Sequence, residues 1–233
     1  IDHGDSVEQD TERGRPAWQA FLAAAKTVAR TTIAPHSTLP LQGVDFTFVA
    51  ADMQTLEQPL DPQGPNPLCQ NADSGEEDNG ENARSVGYIL SLGDFQMLNL
   101  GDLTFRGQHA FACPENLLGT VDLLQVPHHG NDIAPQLMSA LQATVAISSN
   151  GARKGGSPQG YEAVAGIPGI EGIWQMHRAL GTDDEHNTDD KMIANLTEED
   201  DLGYWIKAEI QADGSSYTII NARNNYKETY TTR

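Results

Sequence analysis

Two apolar stretches of the chain each end in residue types that bind metal ions. The first, over 96–102, ends in Gly101-Asp102, and the second, over 121–130, ends in His128-His129-Gly130. Strands that follow one another in a layered α/β domain can bring their carboxyl ends to one edge of a sheet, where ligands bind. Carboxylate and imidazole are both zinc ligands. The pattern therefore predicts a metal site at a sheet edge, and such a site needs more ligands than these side chains supply.

Each strand end also has a structural interpretation. Gly101 allows a sharp turn just before Asp102, and an aspartate in that position often caps a turn. Adjacent side chains of an extended strand point to opposite sides, so at most one of His128 and His129 should face a given metal. The other would hydrogen bond to a ligand or accept a substrate proton. The alternative is a polar loop with two surface histidines.

Other histidines are weaker candidates for the same site. His177 and His186 flank an acidic segment, and each fits a structural role equally well. His3 lies in an acidic surrounding that suits a metal, although it could equally be a frayed end. The remaining histidines are interpreted as surface residues: His36 and His109.

Lys154 is one of few cations and lies in a glycine-rich loop, 151–157, before a predicted helix. Such a loop can hold an anionic group of a substrate, although it lacks the full phosphate-loop pattern. No Gly-x-Ser-x-Gly motif is present, so covalent hydrolysis through a serine is not supported.

The charge of the chain limits its partners. It has 233 residues and a formal net charge of −19, which disfavours binding to long nucleic acids but leaves a small or phosphodiester substrate open. No apolar run is long enough to predict a membrane span. We expect a single domain over 1–233, because no second boundary is evident.

Two cysteines bear on the compartment. Cys69 and Cys113 both lie in loops beside proline, and one disulfide between them would indicate a periplasmic or secreted protein. Two free thiols, which the sequence permits equally, would fit the cytoplasm. A metal site at the cysteines is disfavoured because they lack CxxC spacing.

Hydrophobic periodicity and turn signals predict a layered α/β (α+β) domain with mixed sheets. The predicted helices cover 16–30, 135–141 and 157–165. The predicted strands cover 44–49, 86–92, 95–100, 121–126, 144–148, 172–176, 204–210, 217–221 and 226–231. Two acidic loops are predicted at 59–82 and 181–201.

Five segments together resemble the metallo-β-lactamase superfamily, and within it the branch that contains the hydrolase domain of the ComEC competence proteins. They are Glu81–Val86, Leu98–Asp102, Val121–Gly130, Ala143–Asn150 and the helix opened by Ser157-Pro158. The resemblance covers most of the chain beyond residue 80. Their order and spacing are specific for the superfamily, but not for a substrate.

The resemblance implies an αββα sandwich with a metal cleft, usually holding one or two zinc ions. Asp102 would be the carboxylate ligand, and His128 (favoured) or His129 the late histidine ligand. A metal-activated water would hydrolyse a phosphodiester, ester or lactone. His129, His177 or Lys154 would stabilise charge in the transition state.

One departure from the superfamily is large: its His-x-His-x-Asp-His signature is absent from the 233 residues. Three accounts stay open: the amino-terminal part of the domain precedes Ile1, the chain is a non-catalytic binding or structural relative, or another chain supplies the missing part. Under the first account, this chain alone binds metal poorly and is inactive. It would then expose sheet surface that favours a homo-oligomer or a partner.

Overall fold

The computed structural model describes residues 1–198 and 202–233. Its α-helices are α1 Gly14–Ala25, α2 Phe105–Ala112, α3 Pro135–Leu141 and α4 Pro158–Ala165. Its strands are β1 Asp45–Ala51, β2 Gln54–Thr55, β3 Gly87–Leu92, β4 Phe95–Asn99, β5 Leu123–Val126, β6 Val145–Ser148, β7 Gly172–His177, β8 Ile193–Asn195, β9 Ile206–Ile210, β10 Ser216–Asn221 and β11 Lys227–Thr231.

The larger sheet has eight strands in the order β2-β1-β3-β4-β5-β6-β7-β8. Strands β4 to β8 run parallel to one another. The pairs β2–β1, β1–β3 and β3–β4 are antiparallel. The smaller sheet is antiparallel, in the order β11-β10-β9. The prediction of an α/β domain with mixed sheets is therefore confirmed. Because β4 to β7 are parallel, their carboxyl ends lie at one edge of the larger sheet.

Both faces of the larger sheet are covered by other elements. On one face, residues of α2, α3 and α4 such as Phe111, Leu137 and Val164 form a core with the strands. On the other, Phe95 and Trp174 pack against buried tyrosines of the smaller sheet. This arrangement gives helix, sheet and sheet layers around two apolar cores.

Several local predictions are confirmed. Strands β3 and β4 form a hairpin that turns at Gly93, whose φ is +57°. Strand β5 lies between β4 and β6, as its apolar character on both faces indicated. Helix α4 begins after Ser157, whose hydroxyl accepts a hydrogen bond from the Gly160 N–H at 3.1 Å.

Other local predictions are wrong in their bounds. Helix α1 ends at Ala25, whereas the prediction extended it to Arg30, and Phe21 on its apolar stripe is 40% exposed. Helix α2 was not predicted at all. It makes His109 half-buried, where a surface position was predicted. The predicted loop at 181–201 contains β8, which pairs with β7, while positions 199–201 lie outside the described residues.

A disulfide joins Cys69 to Cys113, with their Cα atoms 5.5 Å apart. It anchors the acidic segment 59–82 to the end of α2. The Asn66 N–H also donates to the Pro114 carbonyl at 2.9 Å, close to the disulfide. The segment predicted as a solvated loop is therefore fastened at its centre. No helix among the described residues is long and apolar enough to cross a membrane.

Replacing both cysteines by serine should lower the free energy of unfolding by about 2–4 kcal/mol, because the disulfide closes a long loop and restricts the unfolded chain. Urea denaturation would measure the change. Dithiothreitol should destabilise the wild-type protein to a similar extent and leave the double variant unchanged. Equal stability of the oxidised wild type and the variant would contradict the expectation.

Candidate functional site

The ends of β4 and β5 are joined by a main-chain hydrogen bond beyond the last paired residues. The His128 N–H donates to the Gly101 carbonyl at 3.0 Å. Gly101 has a φ of +59°, and its N–H donates to the Asn99 side-chain oxygen at 2.7 Å. A side chain at Gly101 would lie 3.3 Å from the Ser85 Cβ atom, so the turn suits glycine on both counts. This turn directs Asp102 toward the end of β5.

The His128-His129-Gly130 turn is left-handed throughout, with φ values of 49°, 58° and 83°. The expectation that the two histidines sit on extended backbone is therefore wrong. Left-handed backbone costs about 1–2 kcal/mol for each non-glycine residue. Such conformations persist where surrounding contacts enforce them, and they occur often at functional sites.

The glycine-rich loop before α4 supplies those contacts. The Gly156 N–H donates to the His129 carbonyl at 2.8 Å, and the Ser157 hydroxyl donates to the Gly130 carbonyl at 2.9 Å. A Cβ atom at Gly155 would lie only 2.2 Å from the His129 carbonyl oxygen. The glycines thus let this loop approach the histidine turn and hold it.

Asp102 and His129 meet at the sheet edge. The Asp102 Oδ1 atom lies 3.3 Å from the His129 Nε2 atom, and both side chains are partly exposed. The His129 Nδ1 atom lies 2.9 Å from the Ser149 carbonyl oxygen. A carbonyl only accepts, so Nδ1 carries a proton, and Nε2 is the ring nitrogen that faces the carboxylate.

His128, the residue favoured as the ligand, has a different neighbour. Its Nε2 atom lies 3.1 Å from the Asn82 side-chain nitrogen. Its Nδ1 atom is buried without a hydrogen-bond partner. Of the two histidines, the structure therefore pairs His129, and not His128, with Asp102.

The Asp102 and His129 pair fits part of a zinc site. Two ligand atoms of a tetrahedral zinc ion lie roughly 3.4 Å apart, given metal–ligand distances near 2.1 Å. Zinc-bound histidines commonly donate their second ring N–H to a carbonyl, as His129 does to Ser149. Within 1–198 and 202–233, no three His, Cys, Asp or Glu residues converge as a metal-binding group. These two residues could thus supply two of the three or four ligands that zinc takes.

The other predicted site residues lie outside this pair. His177 ends β7 at the same sheet edge, is buried, and has its Nδ1 atom 2.8 Å from the Arg178 carbonyl oxygen. The Lys154 side chain is exposed, and no described residue forms an ion pair or hydrogen bond with its amine. Their roles in transition-state stabilisation stay predictions.

His186 has a structural setting. Its ring lies between Asp183 and Glu162, with its Nδ1 atom 2.5 Å from an Asp183 carboxylate oxygen and its Nε2 atom 3.2 Å from a Glu162 oxygen. Both carboxylates raise the pKa of His186 above its usual value, and the hydrogen bond with Asp183 has the larger effect. The histidine fastens the acidic segment to α4.

His3 is tied to the residue before Asn82. Its Nε2 atom lies 3.2 Å from the Glu81 carboxylate, which also accepts from the Ser6 hydroxyl and the Val7 N–H. Burial alone would raise the pKa of Glu81, but the hydrogen bonds lower it below its usual value. The amino-terminal segment is thus attached beside the site.

Three site residues were missed by the sequence reasoning: Asn82, Ser85 and Ser149. Asn82 and Ser85 lie in a segment that carries the superfamily resemblance, which was the available signal. Ser149 contributes its main-chain carbonyl to His129, and no side-chain pattern reveals such a role.

A cavity of about 570 Å³ is lined by Thr104, by Asp132 and by the acidic stretch 73–78, and neither Asp102 nor His129 lines it. Thr104 is two residues beyond Asp102, and Asp132 is three beyond His129. Arg106 is the one basic residue in the lining. The cavity therefore has a predominantly negative wall.

No protein-family model and no curated protein matches the chain.

Replacing Gly155 by alanine should lower the free energy of unfolding by at least about 2 kcal/mol, because the backbone is left-handed and the added carbon overlaps the His129 carbonyl. Gly181→Ala is the control, since no atom lies within 4 Å of its added carbon. Chemical denaturation would measure both variants. Equal effects would mean that Gly155 does not support the histidine turn.

Proposed function

We propose that this chain carries the Asp102 and His129 side of a metal-dependent hydrolase site. The observation that supports it is the 3.3 Å approach of the Asp102 Oδ1 and His129 Nε2 atoms, with the opposite ring nitrogen held by a carbonyl. The chemistry that a divalent ion such as zinc supplies when bound is a water of lowered pKa that can act as a nucleophile.

The residues of the chain have distinct proposed roles. Asp102 and His129 would hold the ion, and Ser149 orients the His129 ring. Lys154 carries a cation without a partner among the described residues, so it is available to an anionic group of the substrate or transition state. His128 and His177 remain proposed aids to metal binding and charge stabilisation.

The finer fold assignment belongs to the same proposal. Helices cover one face of a mixed sheet and a second sheet covers part of the other, an order of layers consistent with the αββα sandwich of the metallo-β-lactamase superfamily. With two convergent ligands described, we expect this chain alone to bind metal weakly and to be inactive. The remaining ligands would come from outside the described residues.

The charge of the chain bears on the substrate. A formal net charge of −19 would disfavour a phosphodiester relative to an uncharged ester or lactone. We therefore favour a small uncharged ester or lactone, and keep the phosphodiester as the competing substrate class. The disulfide supports a periplasmic or secreted setting.

A non-catalytic relative is the second candidate. The observation that favours it is that Asp102 contacts His129 and His128 contacts Asn82 directly, so each site residue already has a side-chain neighbour. In that case these contacts would serve to join strand ends, and the chain would bind a partner or support a larger structure.

Metal content and hydrolysis separate the two candidates. In a polypeptide extended upstream of Ile1, Asp102→Asn and His129→Gln should each lower zinc content. Each should also reduce hydrolysis of p-nitrophenyl acetate or bis(p-nitrophenyl) phosphate by more than about 100-fold. Matched controls are Asp94→Asn, at the other end of β4, and His36→Gln, since both residues are exposed.

Absence of zinc, manganese and iron from the extended protein would overturn the hydrolase proposal. Undiminished turnover in Asp102→Asn would remove that carboxylate from the site. The ratio of the two hydrolysis rates decides between the uncharged and the phosphodiester substrate.

A further inference from the structure

We infer that Asn99 and Gln125 are positioning residues that set the placement of Asp102 relative to His129. They act through a hydrogen-bond path that crosses β4, β5 and the end of β6. Their importance for metal binding rests on the proposed function, but the hydrogen-bond path itself does not.

The hydrogen-bond path begins at Asn99, the last residue of β4. The Asn99 Oδ1 atom accepts from the Gly101 N–H at 2.7 Å, in the turn that leads to Asp102. This bond assigns the amide orientation, because only the oxygen can accept. The Asn99 Nδ2 group must then donate, and it lies 2.6 Å from the Gln125 Oε1 atom.

Gln125 extends the hydrogen-bond path to the next strand, β5. Asn99 and Gln125 are paired in the register of β4 and β5, so their side chains lie side by side on one face. With its Oε1 atom accepting, Gln125 turns its Nε2 group toward the Ser149 hydroxyl, 3.3 Å away. Its amide orientation is therefore determined by Asn99, whose Nδ2 group can only donate, and the Ser149 hydroxyl accepts from the other end.

Ser149 completes the hydrogen-bond path at the His129 ring. Its carbonyl oxygen accepts from the His129 Nδ1 atom at 2.9 Å, while its hydroxyl accepts from Gln125. A continuous path thus runs from the turn before Asp102, through two amides, to the ring of His129. Side chains without hydrogen-bonding groups would fill the same half-buried positions but would not fix either end.

The test compares Gln125→Met with Gln175→Met. Both replace a glutamine of the larger sheet by a side chain of similar length, and both remove two hydrogen bonds. Gln175 bonds to Asn187 and Thr188, which lie outside the path to His129. Gln125→Glu should restore the path, because a carboxylate accepts from both Asn99 and the Ser149 hydroxyl.

Crystal structures of the zinc-free proteins give a readout that needs no metal. In the wild-type chain the Asp102 Oδ1 and His129 Nε2 atoms lie 3.3 Å apart. Gln125→Met should change this distance by more than about 0.5 Å, while Gln175→Met and Gln125→Glu should keep it. An unchanged placement of Asp102 and His129 in Gln125→Met overturns the inference.

Zinc titration of the same proteins tests the consequence. The apparent dissociation constant for zinc should rise about tenfold or more in Gln125→Met and stay unchanged in Gln175→Met. If the wild-type and extended proteins bind no zinc while the placement of Asp102 and His129 changes as expected, the proposed function fails and the positioning role stands. If Gln125→Met does not fold, Ser149→Ala, which removes only the hydroxyl, replaces it in both measurements.

Discussion

The hydrogen bond from the His128 N–H to the Gly101 carbonyl joins two strand ends that the sheet itself leaves unpaired. Strand β4 ends at Asn99 and β5 at Val126, so Asp102 and His129 lie just beyond the paired residues of the two strands. Without this bond, Asp102 and His129 would sit on separate loops. With it, the Asp102 Oδ1 and His129 Nε2 atoms lie 3.3 Å apart, which is close to the spacing of two ligand atoms on one zinc ion. The parallel arrangement of β4 and β5 makes the meeting possible, because both strands end at the same edge.

This arrangement carries a conformational cost that its surroundings offset. Two successive histidines adopt left-handed backbone, which ordinary side chains disfavour by about 1–2 kcal/mol each. The loop before α4 compensates by donating to the carbonyls of His129 and Gly130. The loop and the first turn of α4 can approach only because Gly155 and Gly160 lack side chains. An added carbon at Gly155 would lie 2.2 Å from the His129 carbonyl oxygen, and one at Gly160 would lie 1.9 Å from the Gly130 carbonyl oxygen. The glycines after residue 150 thus have a structural role whether or not Lys154 binds an anion.

Much of this could be predicted from local sequence. Apolar runs ending in glycine identified β4 and β5, and Ser157-Pro158 identified the start of α4, because strand periodicity and helix capping are short-range effects. The orientation of the two histidines could not be predicted, since their left-handed backbone is enforced by a loop more than 20 residues away in sequence. The partnership of Asn82 with His128 spans 46 residues for the same reason. Helix α2 was missed because Gly107 and His109 weaken its helical signal.

Diffraction from crystals of the chain soaked in zinc, recorded at the zinc absorption edge, tests the central claim most directly. The account predicts an anomalous peak within about 2.2 Å of both the Asp102 Oδ1 and His129 Nε2 atoms. It also predicts that the His129 Nδ1 bond to Ser149 stays intact. Zinc bound only at other histidines, with Asp102 and His129 still in direct contact, would contradict it.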